Sequence, residues 1–410
     1  MYRRTGKAEE LRVVHLGTGF LPVSSNAGRS VEGTIYELTR HLVSAGADVA
    51  IVDIKLALRT RGDTGTSFHE VGSLPLRGAN LFSYFLKIIW FSLRLLPALR
   101  RLMKEGGIDI IHAHSQFPSA TVLLARRLFR WKVPVVYTAH NPYLLAPPSL
   151  TNWLRYTLIE GWVLRKVDRV LAQTEAVGRE LGHRFRISPE RIEQVFAGID
   201  LAAIDDFIEH HPRQENGHRT VLYPAVINPR KNQVAVMQCI PDVVKAYPEC
   251  RFVFAGAIDD RAYFSDIQTM VRERDLSEYV AFTGQLPLET LYQQYRDATA
   301  LVFPTLYESQ GKVLIEAMAF GLPVIASRIG PIMDVVSLEE GSAVLVEPHN
   351  PEEIAGAITG LLRDKGQRTG LSARGRKLAS SRFPWSRTAE DTLAVYRKII
   401  RETNIKKQEG

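Results

Sequence analysis

The sequence predicts an α/β chain of two doubly wound, parallel-sheet domains. Short runs of Val, Ile, Leu and Phe alternate with segments whose apolar residues recur at helical spacing, the pattern of parallel βαβ units. With 410 residues, 45% hydrophobic and 23% charged, the chain is globular and long enough for two cores. A polar, aperiodic stretch from Glu209 to His218 interrupts the alternation and reads as an interdomain linker.

Composition narrows the function classes. Cys239 and Cys250 are the only cysteines, which argues against a disulfide framework and fits a reducing cytoplasm. The basic start MYRRTGKAEE runs into a strand with no secretory apolar region after it. Of the net charge of +8, most falls in residues 1–215, with 28 Lys and Arg against 21 Asp and Glu. Such an excess suits an anionic membrane or a phosphorylated acceptor, or is ordinary solubility charge. No nucleic-acid motif accompanies it, so nucleic acid is not an expected partner.

The first half opens with strand Leu11–Leu16, a helix from about Gly33 to Ala45 burying Ile35, Leu38 and Leu42, and strand Val49–Val52. The loop Ser24–Ser30, with Gly28, lies at a strand's carboxyl end, where α/β proteins bind ligands. Residues 81–104 read as a helix with a broad apolar face, broken by a narrow stripe of Ser83, Lys87, Arg94, Arg101 and Lys104. Its charges and Pro97 argue against a membrane span. Burial against the sheet and a place in a membrane interface both fit. Strand Ile108–Ile111 leads to His112-Ala113-His114. A His-x-His pair can ligate a metal but needs a third ligand, and the sequence shows none, so a packed strand end is expected. Val133–Ala139 is another buried strand with His140 at its carboxyl tip. An imidazole there can hydrogen-bond a ligand in either charge state, although a lone loop histidine is usually structural. Pro142, Pro147 and Pro148 follow, then a helix over 153–166 and strand Asp168–Ala172.

The second half begins with strand Thr220–Tyr223 and reaches Arg230-Lys231 just before a helix from Gln233 to Tyr247. A lysine there either neutralises a phosphate as a point charge or is solvated. Strands Arg251–Gly256 and Tyr279–Gln285 come next. Ala298–Phe303 is then a buried strand stopped by Pro304, and Thr305–Gly311 a loop. A helix carries Val313, Leu314, Ala317, Met318 and Phe320 at helical spacing until Gly321 and Pro323, and Val324 opens another strand. Gly311 lets a ligand approach the helix start, where backbone N–H groups favour an anion. Glu308 and Glu316 flank that start, roughly 10 Å apart at helical rise. Two carboxylates beside an anion pocket suit a nucleotide-sugar; the plain alternative is a solvated loop glutamate and a surface helix glutamate. The last helix is expected from Trp385 to about Ile400, followed by a disordered tail from Lys406.

Glu308-x7-Glu316 and the tail Ala317-Met318-Ala319-x-Gly321-x-Pro323-Val324-Ile325-Ala326 resemble the signature of retaining GT-B glycosyltransferases of family 4, the group 1 glycosyltransferases. Asp109 to His114 resembles the family's Asp-hydrophobic-hydrophobic-His-x-His. Gln194–Asp200 resembles the close of its first domain. The resemblance implies two facing Rossmann-like domains with a cleft between them. Residues 1–212 would bind the acceptor, 213–383 the nucleotide-sugar, and a helix over 384–402 would cross back to the first domain. It implies transfer of a hexosyl group from a nucleotide-diphosphate sugar to an acceptor hydroxyl, with retention and on one face of the sugar. The acceptor would be a glycan, lipid or small molecule, lipid-linked or part of a cell-envelope glycan. His140 would lie beside the transferred sugar, Glu308 would hold sugar hydroxyls, Lys231 and the helix start at Gly311 the diphosphate, and Glu316 the ribose. Ser309, Gln310, Lys312 and Val313 would line the donor loop, and Gly284 the base. No metal or other cofactor is implied, and no Asp-x-Asp motif occurs in the chain.

Two departures stand out. A Gly-Gly pair usual for donor phosphates is here Gly28-Arg29, and the arginine usual five or six residues before Lys231 is replaced by Ala225 and Val226. Arg230 is the candidate substitute. The alternatives are a non-catalytic GT-B protein that binds a sugar nucleotide and a nucleotide-sugar epimerase. The expected setting is cytoplasmic, peripheral to the inner face of a membrane.

Overall fold

A computed structural model describes residues 11–24, 30–55, 65–72, 81–140, 153–214 and 219–408. Gly28, Pro142, Pro147 and Pro148 lie outside the described residues. The chain divides into two compact units, residues 1–197 with 385–410, and residues 198–384.

The first unit holds a seven-stranded sheet: β1 Arg12–Leu16, β2 Asp48–Ile54, β3 Ser67–Val71, β4 Ile110–Ala113, β5 Val135–Ala139, β6 Arg169–Ala172 and β7 Ile192–Gln194. Their order is β3-β2-β1-β4-β5-β6-β7, with every neighbouring pair parallel. Helices cover both faces, which is why the strands read as continuous apolar runs. On one face Val14, Ala50, Ile111 and Val135 pack with Phe91, Leu95, Leu99 and Leu102 of the helix Leu81–Glu105, and with Val122 and Leu123 of the helix Gln116–Leu128. On the other, Val13, Val49, Ile110 and Val136 meet Leu38 and Leu42 of the helix Val31–Ser44, and Leu393, Tyr396 and Ile399 of the helix Trp385–Gln408.

Three boundaries differ from expectation. The first helix begins at Val31 because Ser30 accepts a bond from Gly33 N and caps it. The helix expected over 153–166 is π-helical from Trp153 to Glu160 and α-helical from Gly161 to Lys166. The tail expected to be disordered stays helical to Gln408. Neither glycine nor proline interrupts it, and Glu402 pairs with Arg169 while Lys398 Nζ lies 2.5 Å from Glu193 Oε1. Among the described residues, no helix is long and apolar enough to cross a membrane.

The second unit holds a six-stranded parallel sheet: β8 Arg219–Tyr223, β9 Cys250–Ala255, β10 Val280–Gly284, β11 Ala300–Phe303, β12 Val324–Ser327 and β13 Val344–Val346. The order is β10-β9-β8-β11-β12-β13. The helix Leu201–His210, placed by the sequence at the end of the first domain, belongs to this unit. Asp200 caps it, and Phe207 packs edge-on against Tyr292 and Phe320 with ring centroids 5.5 and 6.1 Å away. The chain therefore changes unit at Gly198, ahead of the polar stretch that suggested the boundary.

Candidate functional site

In the second unit the predicted residues converge at the carboxyl ends of β8 and β11. A 3₁₀ turn, Pro229–Lys231, follows β8; Asn228 caps it by accepting from Lys231 N at 3.1 Å. Asn232 sits in the left-handed region at φ 57° and ties the turn down, its Nδ2 donating to Pro304 O at 3.0 Å and Pro348 O at 2.6 Å. The buried Tyr223 hydroxyl donates to Lys231 O. These anchors drive the Lys231 side chain inward, where it is 8% exposed, with Nζ 4.9 Å from the Phe303 ring centroid.

Lys231 Nζ pairs there with Glu308, also 8% exposed. Thr305 Oγ1 lies 3.3 Å from the same carboxylate oxygen, and Arg230 Nη1 is 3.9 Å from it while donating to Tyr307 O at 3.2 Å. Burial lowers the Lys231 pKa, and the Glu308 charge opposes that shift. The solvated-lysine reading is excluded, and so is a solvated Glu308. Gly311 precedes the helix Lys312–Ala319 at φ 79°, and a Cβ there would fall 2.6 Å from Ile332 Cδ1, so this turn requires glycine. No side chain caps that helix end. Gln310 is buried, while Ser309, Lys312 and Val313 are half-buried. Glu316 is buried on the helix and accepts from Tyr295 Oη at 3.2 Å. Gly284 closes β10 at φ 68° with open space beside it. The arrangement offers cations and a helix start for phosphate oxygens, and two held carboxylates for hydroxyls.

In the first unit His140 is half-buried after β5 and borders a cavity of about 430 Å³, shared with Thr18, Glu32, His114, Gln116 and Glu160. Thr18 donates to Glu32, and Tyr137 Oη to Glu160 Oε1 at 2.8 Å. A larger cavity, about 480 Å³, lies beside Gly178, Gly182 and Ile192 and contains none of the predicted residues. Behind His140, β1 and β4 bring His15 level with His112. His15, His112 and His114 are buried, and their ring nitrogens lie within 4.8 Å of one another. His15 is the third imidazole that the sequence did not reveal. Each of the six ring nitrogens also has a hydrogen-bond partner. Burial lowers the His15 pKa to about 3 and drives His112 and His114 well below the ordinary range, with their mutual repulsion adding to it. Burial thus favours the neutral form of all three.

Several participants escaped the sequence reading. Thr305 and Asn232 adjoin motifs already noted, so their position was the available signal. His15, Tyr223 and Tyr295 sit in or beside apolar runs and look like core.

The family model described as Glycosyltransferase Family 4 matches residues 31–203, and that described as Glycosyl transferases group 1 matches residues 205–378. The chain is 26% identical over 406 residues to the D-inositol 3-phosphate glycosyltransferase of Jonesia denitrificans, with 94% of each chain covered. It is 27% identical over 408 residues to the protein of that name from Acidothermus cellulolyticus, covering 95% of this chain and 90% of that one. Among solved structures, sucrose-phosphate synthase from Thermosynechococcus elongatus superposes with a TM-score of 0.75 at 21% identity, over 96% of this chain and 100% of that one. Anabaena HepE in complex with UDP and glucose gives 0.69 at 18%, over 95% and 100%. With successive matches across both units, a shared motif and a shared fold, the chain belongs to the group 1 glycosyltransferases of family 4 and has their GT-B fold.

Proposed function

We propose that this chain transfers a hexosyl group from a nucleotide-diphosphate sugar to an acceptor hydroxyl, with retention and without a metal ion. The buried Lys231–Glu308 pair carries the reading. A diphosphate-sugar can replace it partner for partner: the lysine turns to a phosphate oxygen and the carboxylate to a sugar hydroxyl, so neither buried charge is left alone. Arg230, 3.9 Å from the same carboxylate, stands in for the cation that Ala225 and Val226 lack. With the helix start after Gly311 it stabilises the leaving diphosphate, whose charge develops during transfer. In this scheme that phosphate takes the acceptor's proton. Glu316, held by Tyr295, binds the ribose, and His140 contacts the transferred sugar. Gly284, Ser309, Gln310, Lys312 and Val313 complete the donor site.

The acceptor class follows from charge and relatives together. The basic first unit and full-length similarity to D-inositol 3-phosphate glycosyltransferases favour a phosphorylated polyol or a lipid-linked acceptor. A membrane role has its own support. Ile89 and Leu93 are 51% and 61% exposed on the helix that also carries Arg94 and Arg101, and Leu128 is 74% exposed on the helix packed beside it. Vesicle flotation with and without anionic lipid tests this contact; absence from both vesicle types rejects it.

The deciding experiment incubates the protein with UDP-, GDP- and ADP-hexoses, with and without inositol phosphates, in EDTA. A new α-linked glycoside made from an α-linked donor, and lost in Glu308→Gln, supports the assignment. Donor binding without product points to the non-catalytic alternative, and a changed sugar on the nucleotide points to an epimerase.

A further inference from the structure

Behind His140 the first unit contains one continuous hydrogen-bonded row. Thr138 Oγ1, on β5, lies 2.7 Å from His112 Nε2, and His112 Nδ1 lies 2.6 Å from Tyr396 Oη on the C-terminal helix. Tyr396 Oη is 3.4 Å from His15 Nε2, His15 Nδ1 is 3.1 Å from His114 Nε2, and His114 Nδ1 is 2.8 Å from His140 Nε2. The row follows from register: β1, β4 and β5 are adjacent, and residues two apart on a strand share a face. Tyr396 is buried where the C-terminal helix covers that face.

We propose that this row fixes the tautomer and ring orientation of His140, so that His15 and Tyr396 are positioning residues for it. The consequence for catalysis rests on the role proposed for His140 above; the row itself does not.

A neutral imidazole has one N–H and one acceptor nitrogen. Each ring-to-ring contact therefore needs one hydrogen and one lone pair. If Thr138 donates to His112 Nε2, His112 donates from Nδ1 to Tyr396, Tyr396 donates to His15 Nε2, and His15 and His114 each donate onward from Nδ1. All four histidines then carry the Nδ1–H form. Reversing the direction gives Nε2–H on all four. Among His15, His114 and His140 a mixed set leaves a buried contact with two hydrogens or none; at Tyr396, whose oxygen can accept from both His112 and His15, it leaves either a contact with no hydrogen or the phenol hydrogen unpaired, and each is costly. His140 thus cannot change tautomer unless the rings behind it change together. A metal ion on His15, His112 and His114 would need nitrogens that the row already uses.

The test uses the full chain with ¹⁵N-labelled histidine at pH 7.5. Long-range proton–nitrogen correlation reads each ring's tautomer, with single His→Gln substitutions for assignment. The expected result is one shared tautomer for His15, His112, His114 and His140. Mixed tautomers, or stoichiometric metal in the purified protein by elemental analysis, would overturn the row. For the functional half, Tyr396→Phe keeps the ring and removes the hydroxyl. It should lower kcat roughly tenfold with donor KM within about twofold, since misorientation of a contact group acts on the reacting geometry. Added to His140→Ala, it should lower kcat no further. A second, independent loss in that double variant would show that Tyr396 does not act through His140. Full activity in His140→Ala would remove the role proposed for His140, and with it the positioning claim, while leaving the tautomer result to stand or fall alone.

Discussion

Lowering the pH from 7.5 to 5.5 should destabilise the first unit. In the fold His15 titrates at about 3, against 6.5 for a free histidine, because burial opposes its charge. Between those values the unfolded chain binds a proton that the folded chain excludes. Stability is therefore complete above pH 6.5, falls with decreasing pH, and levels off near 3 for this residue. From pH 7.5 to 5.5 the loss from His15 alone is about 1.4 kcal/mol. His112 and His114 are shifted in the same direction by the same burial. They add to the loss from His15, which is already a sizeable share of a typical domain stability of ~5–15 kcal/mol. The assay is convenient because all five tryptophans, at positions 90, 131, 153, 162 and 385, belong to the first unit. Urea unfolding followed by tryptophan fluorescence should show the midpoint falling by at least about 0.5 M between these pH values. His15→Gln should remove its own share, about 1.4 kcal/mol between pH 7.5 and 5.5, from that dependence. A midpoint unchanged between pH 7.5 and 5.5 would refute the reasoning, since it would mean that these imidazoles are solvated or already charged in the fold.

Three further outcomes are expected. Lys231→Ala strands the Glu308 carboxylate and should destabilise the second unit by about 3 kcal/mol, with Lys231→Ala/Glu308→Ala recovering at least about 1 kcal/mol; hydrogen exchange over residues 219–384 measures this, as that unit has no tryptophan. Gly311→Ala combines a left-handed φ of 79° with a Cβ 2.6 Å from Ile332, and should cost about 2 kcal/mol and weaken donor binding, read by exchange and by calorimetry. Tyr295→Phe frees Glu316 from its 3.2 Å hydrogen bond, and should raise donor KM a few-fold with kcat nearly unchanged.

The sheet-and-helix plan was legible because both sheets are parallel and covered on both faces, which writes each strand as a continuous apolar run. The motif around Glu308 was legible for a related reason: glycine and proline mark where the helix Lys312–Ala319 begins and ends. What sequence did not give is pairing across distance. Glu308 and Lys231 are 77 positions apart, and only the adjacency of β8 and β11 joins them. His15 and His112 look like core residues until the register sets them level. The unit boundary was obscured because Leu201–His210 is amphipathic and the polar stretch follows it. Polarity marked the end of a helix there, not the end of a unit.

The two stations handle charge in opposite ways, and that contrast suits the proposed chemistry. In the second unit a cation and a carboxylate are buried together, each compensating the other, with a second cation close by. Such a site suits a ligand that brings its own charge, because the diphosphate can take over the carboxylate's part as partner of Lys231. In the first unit burial favours the neutral form of the imidazoles behind His140, and their nitrogens are engaged in bonds to one another and to Tyr396 and Thr138. An oriented imidazole at His140 suits the proposed sugar, which offers hydroxyls and no charge in its ground state. In the proposed reaction the charge that develops on the diphosphate is met within the second unit by Lys231 and Arg230, and electrostatic stabilisation accelerates transfer only where the charge actually appears.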